Sequence, residues 1–169
     1  GALSHAFLGA DAEVGAARRE YPVRAATPDD IARRLAAGAV LGRITGRAEV
    51  GPRALGNRAI IASTAGMRIR DQVNRLKGRE SWRPLAPIVA AEAARRLLTG
   101  PQDAYMLRTA SLADEPGVEA VRHVDGSTRA KVTQPDEAGL EALLAAAEEH
   151  WGTATVLCTS FNGEGEPIV

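Results

Sequence analysis

Thirteen residues of the sequence, 46 to 58, combine residue types that bind phosphate. This first cluster holds three glycines, three arginines, a glutamate and an asparagine. Glycine lets backbone N–H groups come close to a ligand, and the arginine fork matches two phosphate oxygens at once. Neither a Walker loop nor a dinucleotide fingerprint is present, so any phosphate site here is of another kind. A solvated arginine-rich loop is the alternative interpretation.

A second cluster, residues 73 to 87, places cations where a predicted helix ends and a predicted strand begins. The chain has 19 arginines but two lysines, so Lys77 stands out against its background. The helix dipole alone explains one or two cations here, such as Lys77 and Arg79. Arg83 is predicted inside an otherwise apolar strand, where a charge needs a partner. That partner is Glu80, Glu49 or a phosphate.

The third cluster runs from 123 to 129. His123 and Asp125 stand two residues apart on a predicted strand and would share one face, as metal ligands do. One such pair supplies too few ligands, so a turn capped by Asp125 is favoured. Arg129 is the candidate site residue of this cluster.

The fourth cluster, residues 159 to 167, follows a strand that is predicted to be buried. Ser160 and Asn162 leave the carboxyl end of that strand, where ligands bind in α/β sheets. Strand ends also carry these residue types for turn geometry. Cys158, in the apolar run before them, is interpreted as a small core residue and not as a nucleophile.

The predicted helices and strands that position these clusters do not follow a strict β-α-β alternation. This order predicts an α/β or α+β domain with a mixed sheet. Residues 1–26 show weak periodicity and are predicted to be a leading segment or interdomain linker, followed by one domain over 27–169. Predicted helices are 28–38, 67–76, 90–98 and 138–150. Predicted strands are 40–44, 58–63, 82–89 (an edge or bulged strand, since it holds two prolines), 118–124, 129–132 and 153–159. The stretch 101–118 has no clear period.

Composition narrows the function classes. The 169 residues fit one domain, and the formal net charge of zero suggests no nucleic-acid or membrane partner. No apolar run approaches the ~20 residues of a membrane span, and residues 1–19 lack a signal-peptide pattern. A single cysteine excludes an internal disulfide and a Cys-based zinc site. We therefore expect a cytoplasmic domain.

Taken in order, the four clusters resemble the C-terminal domain of the NodU/TobZ-type O-carbamoyltransferases. The motifs that carry the resemblance are Gly46-Arg47-x-Glu49-x-Gly51-Pro52-Arg53-Ala54-Leu55-Gly56-Asn57-Arg58, Asn74-x-x-Lys77-x-Arg79-Glu80-x-x-Arg83-Pro84-x-Ala86-Pro87, His123-Val124-Asp125-Gly126-x-x-Arg129, and Thr159-Ser160-Phe161-Asn162 with Gly165-Glu166-Pro167-Ile168-Val169. Within them, Lys77-x-Arg79 and Ser160-x-Asn162 resemble signatures of YrdC-like domains. The resemblance implies a YrdC-like α/β fold, with a twisted mixed parallel and antiparallel sheet and flanking helices.

The resemblance also implies an activity. In such enzymes this domain takes ATP, with Mg²⁺, and carbamoyl phosphate and forms carbamoyl adenylate. A larger N-terminal domain, of the ASKHA type and metal-dependent, then moves the carbamoyl group to a hydroxyl acceptor. We expect that domain to be missing before Gly1 and the family's chain to continue past Val169. The chain alone would then not complete the transfer, and no metal site is expected within it.

By motif position, the resemblance implies two sets of site residues. The catalytic set is Lys77, Arg53 and Arg83. The binding set is Arg129, Ser160, Asn162, Arg79, Gly51 and Asn57. We expect Lys77→Ala to abolish binding without unfolding the domain, and Arg83→Ala to impair both binding and stability if Arg83 is buried.

The sequence departs from the family pattern at four places outside the catalytic set: Cys158, Lys131, Trp82 and Ser63-Thr64. A non-catalytic module that binds nucleotide or phosphate, or docks to a partner domain, is the alternative function. A stand-alone YrdC-like RNA-modifying enzyme is disfavoured, because the first and third motifs belong to the carbamoyltransferase pattern and the net charge gives RNA no footprint.

Overall fold

The structure is a computed structural model that describes residues 6–11, 15, 17–135 and 137–167. The helices are α1 (Ala17–Glu20), α2 (Pro28–Ala36), α3 (Met67–Leu76), α4 (Ala91–Leu97) and α5 (Ala138–Trp151). The strands are β1 (Leu41–Ile44), β2 (Arg58–Ala62), β3 (Ala86–Val89), β4 (Leu98–Thr99), β5 (Ala110–Leu112), β6 (Ser127–Thr128), β7 (Lys131–Val132) and β8 (Thr155–Ser160). A short 3₁₀ helix spans Glu119–Val121.

The main sheet has the order β1-β2-β8-β3-β7. All neighbouring strands run antiparallel except β3 and β7, which are parallel. A smaller antiparallel sheet has the order β4-β5-β6. The central strand β8 is buried along its whole length and pairs with β2 and β3 on either side, and its carboxyl end at Ser160 pairs with Ala59 of β2. A mixed α/β fold is therefore confirmed.

Helices α2 and α5 lie against each other and cover the core. Thr27 caps α2 through a reciprocal capping box with Asp30, which satisfies two backbone N–H groups that the first turn leaves free. Gly152 ends α5 in the left-handed conformation, at φ 81°. Within the described part of the chain, no helix combines the length and apolar character that crossing a membrane requires.

The predicted strand over 118–124 is wrong. The chain there forms the 3₁₀ helix and then a tight turn, because its backbone groups bond to distant loops instead of a neighbouring strand. The Ala120 N–H donates to the Thr64 carbonyl at 3.0 Å, and the Glu119 carboxylate accepts the Gly66 N–H at 3.0 Å. His123 and Asp125 consequently do not share a strand face. Asp125 instead caps the turn by accepting the Ser127 N–H at 2.9 Å, as the favoured interpretation predicted.

The predicted strand over 82–89 is shorter than expected and lies inside the sheet. Strand β3 begins at Ala86, while Trp82 is 70% exposed in the preceding loop. Pro87 is tolerated between two neighbours because β7 pairs with Ile88 and Val89 and starts beyond it. The unassigned stretch 101–118 contributes β5 to the smaller sheet.

Candidate functional site

A cavity of about 170 Å³ opens at the carboxyl end of β8. All four clusters found in the sequence contribute polar residues to its lining, namely Arg53, Arg79, Arg129, Thr159 and Ser160. The loops that precede β2, β3 and β7 carry Arg53, Arg79 and Arg129, and the end of β8 carries Thr159 and Ser160. The structure thus brings together residues that are 107 positions apart, between Arg53 and Ser160, in one small space.

The cavity is cationic, and its charge is not neutralised from within. None of the described lining residues is acidic. Among the described residues, the Nε atoms of Arg53 and Arg129 are buried and have no hydrogen-bond partner. Burial, and then the nearby charge of Arg53, lowers the pKa of Arg129, while burial and then Arg83 lower the pKa of Arg79. Unpaired cationic donors around a cavity are what an oxyanion requires.

Lys77 lies beside this cavity and does not line it. Its side chain follows α3, and the residue is 3% exposed. The Nζ donates to the Ser160 carbonyl at 2.6 Å and to the Asn162 carbonyl at 2.6 Å. The Nζ also donates to the Asn162 Oδ1 at 2.7 Å and to the Ser160 Oγ at 3.1 Å. Burial, and then repulsion from Arg79, lowers the pKa of Lys77 to about 8.

Lys77, Ser160 and Asn162, which the resemblance assigns to one site, contact each other in the structure. The ammonium binds the turn that follows β8, and the serine of that turn lines the cavity. The geometry gives Lys77 the role of positioning Ser160 and Asn162. A direct contact between Lys77 and a ligand stays a prediction.

Asn74 fixes the loop that carries Arg79, although the sequence analysis did not place it in the site. This residue is fully buried on α3. Its side-chain amide donates to the Ser81 carbonyl at 3.2 Å and the Arg83 carbonyl at 2.9 Å, and its backbone carbonyl accepts the Arg79 N–H at 2.8 Å. An asparagine three residues before a lysine at a helix end is the signal that could have pointed to it.

Arg83 is not buried, so that expectation is wrong. Its side chain is 47% exposed, and its Nε lies 3.1 Å from the Glu80 Oε2. The reason is the late start of β3, which leaves Arg83 in a loop where water solvates the charge. Arg83 does not line the cavity, and its catalytic role stays a prediction without support from the geometry.

Gly51 and Asn57 also lie apart from the cavity lining. Gly51 adopts φ 139° in the exposed loop, and Asn57 donates its side-chain amide to the Arg47 carbonyl at 2.8 Å. Asn57 instead lines a second cavity of about 460 Å³, together with Arg43 and Glu137. Their assignment to ligand binding stays a prediction.

Cys158 is 3% exposed at the floor of the cationic cavity. Burial raises the pKa of its thiol to about 12, so the nucleophilic thiolate is absent near neutral pH. Its interpretation as a core residue is confirmed. The described residues contain no group of three or more His, Cys, Asp and Glu side chains that could hold a metal ion.

Glu49 organises the loop that presents Arg53, a role that the sequence analysis missed. Its carboxylate accepts three backbone N–H groups, from Leu55 at 2.7 Å, Asn57 at 2.9 Å and Arg58 at 3.0 Å. An acid inside a cluster of glycines and arginines was the available signal. It was considered only as a partner for Arg83.

We expect Glu49→Ala to lower the free energy of unfolding by about 2 to 3 kcal/mol, since three backbone donors lose a charged acceptor together. Binding of phosphate ligands should weaken as well, because Arg53 loses its fixed loop. Urea unfolding of the variant measures the first effect. Glu149→Ala, which removes an exposed acid from α5, is the control. A variant as stable as wild type would contradict the anchoring role.

Comparison with known proteins places this chain in a family. The family described as "Carbamoyltransferase C-terminus" matches residues 32–169. The chain belongs to this family. It is 40% identical over 135 residues to 3'-hydroxymethylcephem-O-carbamoyltransferase of Streptomyces clavuligerus, covering 78% of this chain and 26% of that protein. The nodulation protein NolO of Bradyrhizobium diazoefficiens is 36% identical over 143 residues, covering 80% of this chain and 26% of that protein.

The chain therefore spans about a quarter of the length of these relatives. Among solved structures, full-length HypF in the phosphate- and nucleotide-bound form is similar, with a TM-score of 0.55 and 13% identity. The match covers 88% of this chain and 19% of HypF. At this identity the likeness concerns the fold, and the predicted fold class is confirmed.

Proposed function

We propose that this domain binds carbamoyl phosphate and ATP and forms carbamoyl adenylate, which a longer O-carbamoyltransferase passes to a hydroxyl acceptor. The observation that carries the proposal is the cationic cavity. Three arginines converge on about 170 Å³, and in two of them a buried Nε has no hydrogen-bond partner among the residues that the structure describes. Membership in a carbamoyltransferase family supports the carbamoyl group as the cargo.

The size of the cavity indicates that it holds only the phosphate part of ATP or one carbamoyl phosphate. A volume of about 170 Å³ is close to the ~150 Å³ that holds a benzene molecule, and lies below the ~300 Å³ at which sites for drug-sized ligands begin. A carbamoyl phosphate or the reacting phosphates fit inside it. The nucleoside then extends past the mouth of the cavity.

The chemistry requires stabilisation of oxyanions. Overall, ATP, carbamoyl phosphate and one water give carbamoyl adenylate, pyrophosphate and phosphate. Water first hydrolyses the bond between the carbamoyl group and the phosphate of carbamoyl phosphate, which releases phosphate and leaves carbamate. A carbamate oxygen then forms a bond to the α-phosphorus of ATP, and the bond from that phosphorus to the pyrophosphate oxygen breaks. Negative charge spreads over the phosphoryl oxygens in this step, and preorganised cations stabilise it best where water is excluded. Arg53, Arg79 and Arg129 supply those cations.

Mg²⁺ is expected with ATP, and this domain contributes little to holding it. The described residues of the cavity lining offer arginines, one threonine and one serine but no carboxylate. Such a lining does not fit a free divalent cation, which takes oxygen ligands. The ion would sit on the triphosphate itself, so no step is assigned to residues that bind it.

The acceptor step belongs to the rest of the longer protein. The relatives are about four times the length of this chain, which leaves room for the ASKHA-type, metal-dependent domain that the resemblance implies. In this proposal that domain binds the hydroxyl acceptor and determines its identity. A reducing cytoplasm would suit the single buried thiol.

A binding module without catalysis is the second candidate. The small volume of the cavity favours it, because the site would then be one half of a cavity that another domain completes. Binding of ligand without release of pyrophosphate by the isolated chain would be its signature.

Calorimetric titration tests the proposal. The purified chain is titrated with carbamoyl phosphate and with a non-hydrolysable ATP analogue plus Mg²⁺, and release of pyrophosphate from ATP is measured in parallel. Saturable binding of both ligands, and pyrophosphate release that requires carbamoyl phosphate, would support the activating role. Binding without release would favour the module. A folded chain that binds neither ligand would overturn both candidates for this cavity.

A further inference from the structure

Met106 has an unusual backbone conformation in the wall of the cationic cavity. Of the described residues other than glycine, it is the one with a positive φ, at 56°. It is 3% exposed, and it lines the cavity with the three arginines and Ser160. The next residue, Leu107, is 68% exposed and is not part of the lining. The chain thus turns one apolar side chain inward and the following one outward.

Asp103 holds this conformation in place. Its carboxylate accepts the backbone N–H of Tyr105 at 2.6 Å and that of Leu107 at 3.2 Å, on either side of Met106. Its own carbonyl accepts the Val132 N–H at 2.8 Å, which ties the turn to β7. The left-handed conformation costs a residue with a Cβ about 1 kcal/mol or more, whereas glycine adopts it freely. The buried carboxylate of Asp103 and the bond to β7 therefore hold Met106 in a backbone conformation that glycine would adopt at a lower energy.

We propose that Met106 determines the size of the group that the cavity accepts beside the phosphate. Met106 is one of the residues that line this space of about 170 Å³, and it is buried. The fixed backbone leaves that wall little freedom to retreat. A planar group the size of a carbamoyl fits, and a bulkier acyl group meets the methionine. This assignment rests on the proposed function of the cavity.

Two acyl phosphates of different size, with inorganic pyrophosphate as a control, test the assignment. Carbamoyl phosphate, benzoyl phosphate and inorganic pyrophosphate are titrated into the wild-type chain and into Met106→Ala, which removes three heavy atoms from the wall. Wild type should bind benzoyl phosphate at least about tenfold more weakly than carbamoyl phosphate. In the variant, affinity for benzoyl phosphate should rise by about tenfold. Affinity for pyrophosphate should stay the same, because the arginines are untouched.

Two further variants separate size from folding. Met106→Leu keeps the bulk and should keep the wild-type ranking of ligands. Leu107→Ala alters the adjacent exposed side chain and should also keep it. Thermal unfolding confirms that each variant is folded, and Met106→Gly, which fits the backbone, replaces Met106→Ala should the latter not fold.

The two proposals fail in different ways. A folded variant that binds carbamoyl phosphate but ranks the ligands as wild type does would overturn the assignment of Met106 alone. Wild-type chain that binds none of the three phosphates would overturn the proposed function, and the size filter with it.

Discussion

Arg129→Met is expected to weaken binding of carbamoyl phosphate by about 10- to 100-fold, the worth of one charge-assisted hydrogen bond of about 1.5 to 3 kcal/mol. The same change should leave the free energy of unfolding unchanged or raise it. Opposite effects on affinity and stability set this prediction apart from an ordinary structural defect, which lowers both.

The stability half of the prediction follows from the charges around Arg129. Its Nε is buried without a partner among the described residues, and the side chain shares the cavity with Arg53 and Arg79. Burial and the charge of Arg53 both lower its pKa, which means that the folded domain disfavours this cation. Removing it relieves the repulsion, by a few tenths to about 1 kcal/mol after allowance for solvent screening. In this proposal the positive charge of Arg129 is needed to bind the phosphate, although it lowers the free energy of unfolding.

Calorimetry and urea unfolding on the same preparations measure the two effects. Arg34→Met is the matched control, because it removes an exposed arginine of α2 that does not line the cavity. It should change neither quantity appreciably. An Arg129→Met protein that loses stability and keeps its affinity would show that Arg129 supports the fold and not the ligand.

The sequence predicts those parts of the fold whose signals are local. Helix α2 could be predicted because its capping box lies within four residues, from Thr27 to Asp30. The failed strand at 118–124 shows the opposite case. Its alternating pattern was real, but the partners of Ala120 and Glu119, which are Thr64 and Gly66, are more than fifty positions away and belong to a loop.

The residues of the candidate site show the same contrast between local signals and contacts between distant positions. Residue type and motif were enough to select Arg53, Arg129 and Ser160, which the structure gathers around one cavity. Glu49 and Met106 were missed because their roles depend on backbone geometry, which residue type does not encode. Arg83 was misplaced for a related reason, since a shift of four residues in the start of β3 moves it from the sheet into water.

Lys77→Met is expected to lower the free energy of unfolding by about 2 to 3 kcal/mol, because buried carbonyl oxygens lose a charged donor. The domain should still fold, since small domains have about 5 to 15 kcal/mol of stability. Affinity for carbamoyl phosphate should fall by about tenfold or more, because Ser160, which lines the cavity, loses its fixed position.

Lys131→Met is the control that the chain itself offers. Lys131 is the other lysine, it is 1% exposed, and its Nζ binds both carboxylate oxygens of Glu137, at 2.6 and 2.5 Å. Neither Lys131 nor Glu137 lines the cationic cavity. This variant should lose stability by a similar amount and keep its affinity. Equal losses of affinity in both variants would mean that general loosening of the core, and not the position of Lys77, explains the effect.

The dependence on pH gives Lys77 a signature of its own. In the folded domain, burial lowers the pKa of Lys77 to about 8, whereas the pKa of an ordinary lysine is 10.5. Between these values the unfolded chain binds more protons than the folded one, so this group makes stability rise with pH across that window. Affinity should change in the opposite direction, because the neutral amine has one hydrogen-bond donor fewer to hold Ser160 and Asn162. The rise in stability from pH 8 to 10.5 should be smaller in Lys77→Met, and an unchanged rise would place the pKa of Lys77 outside this window.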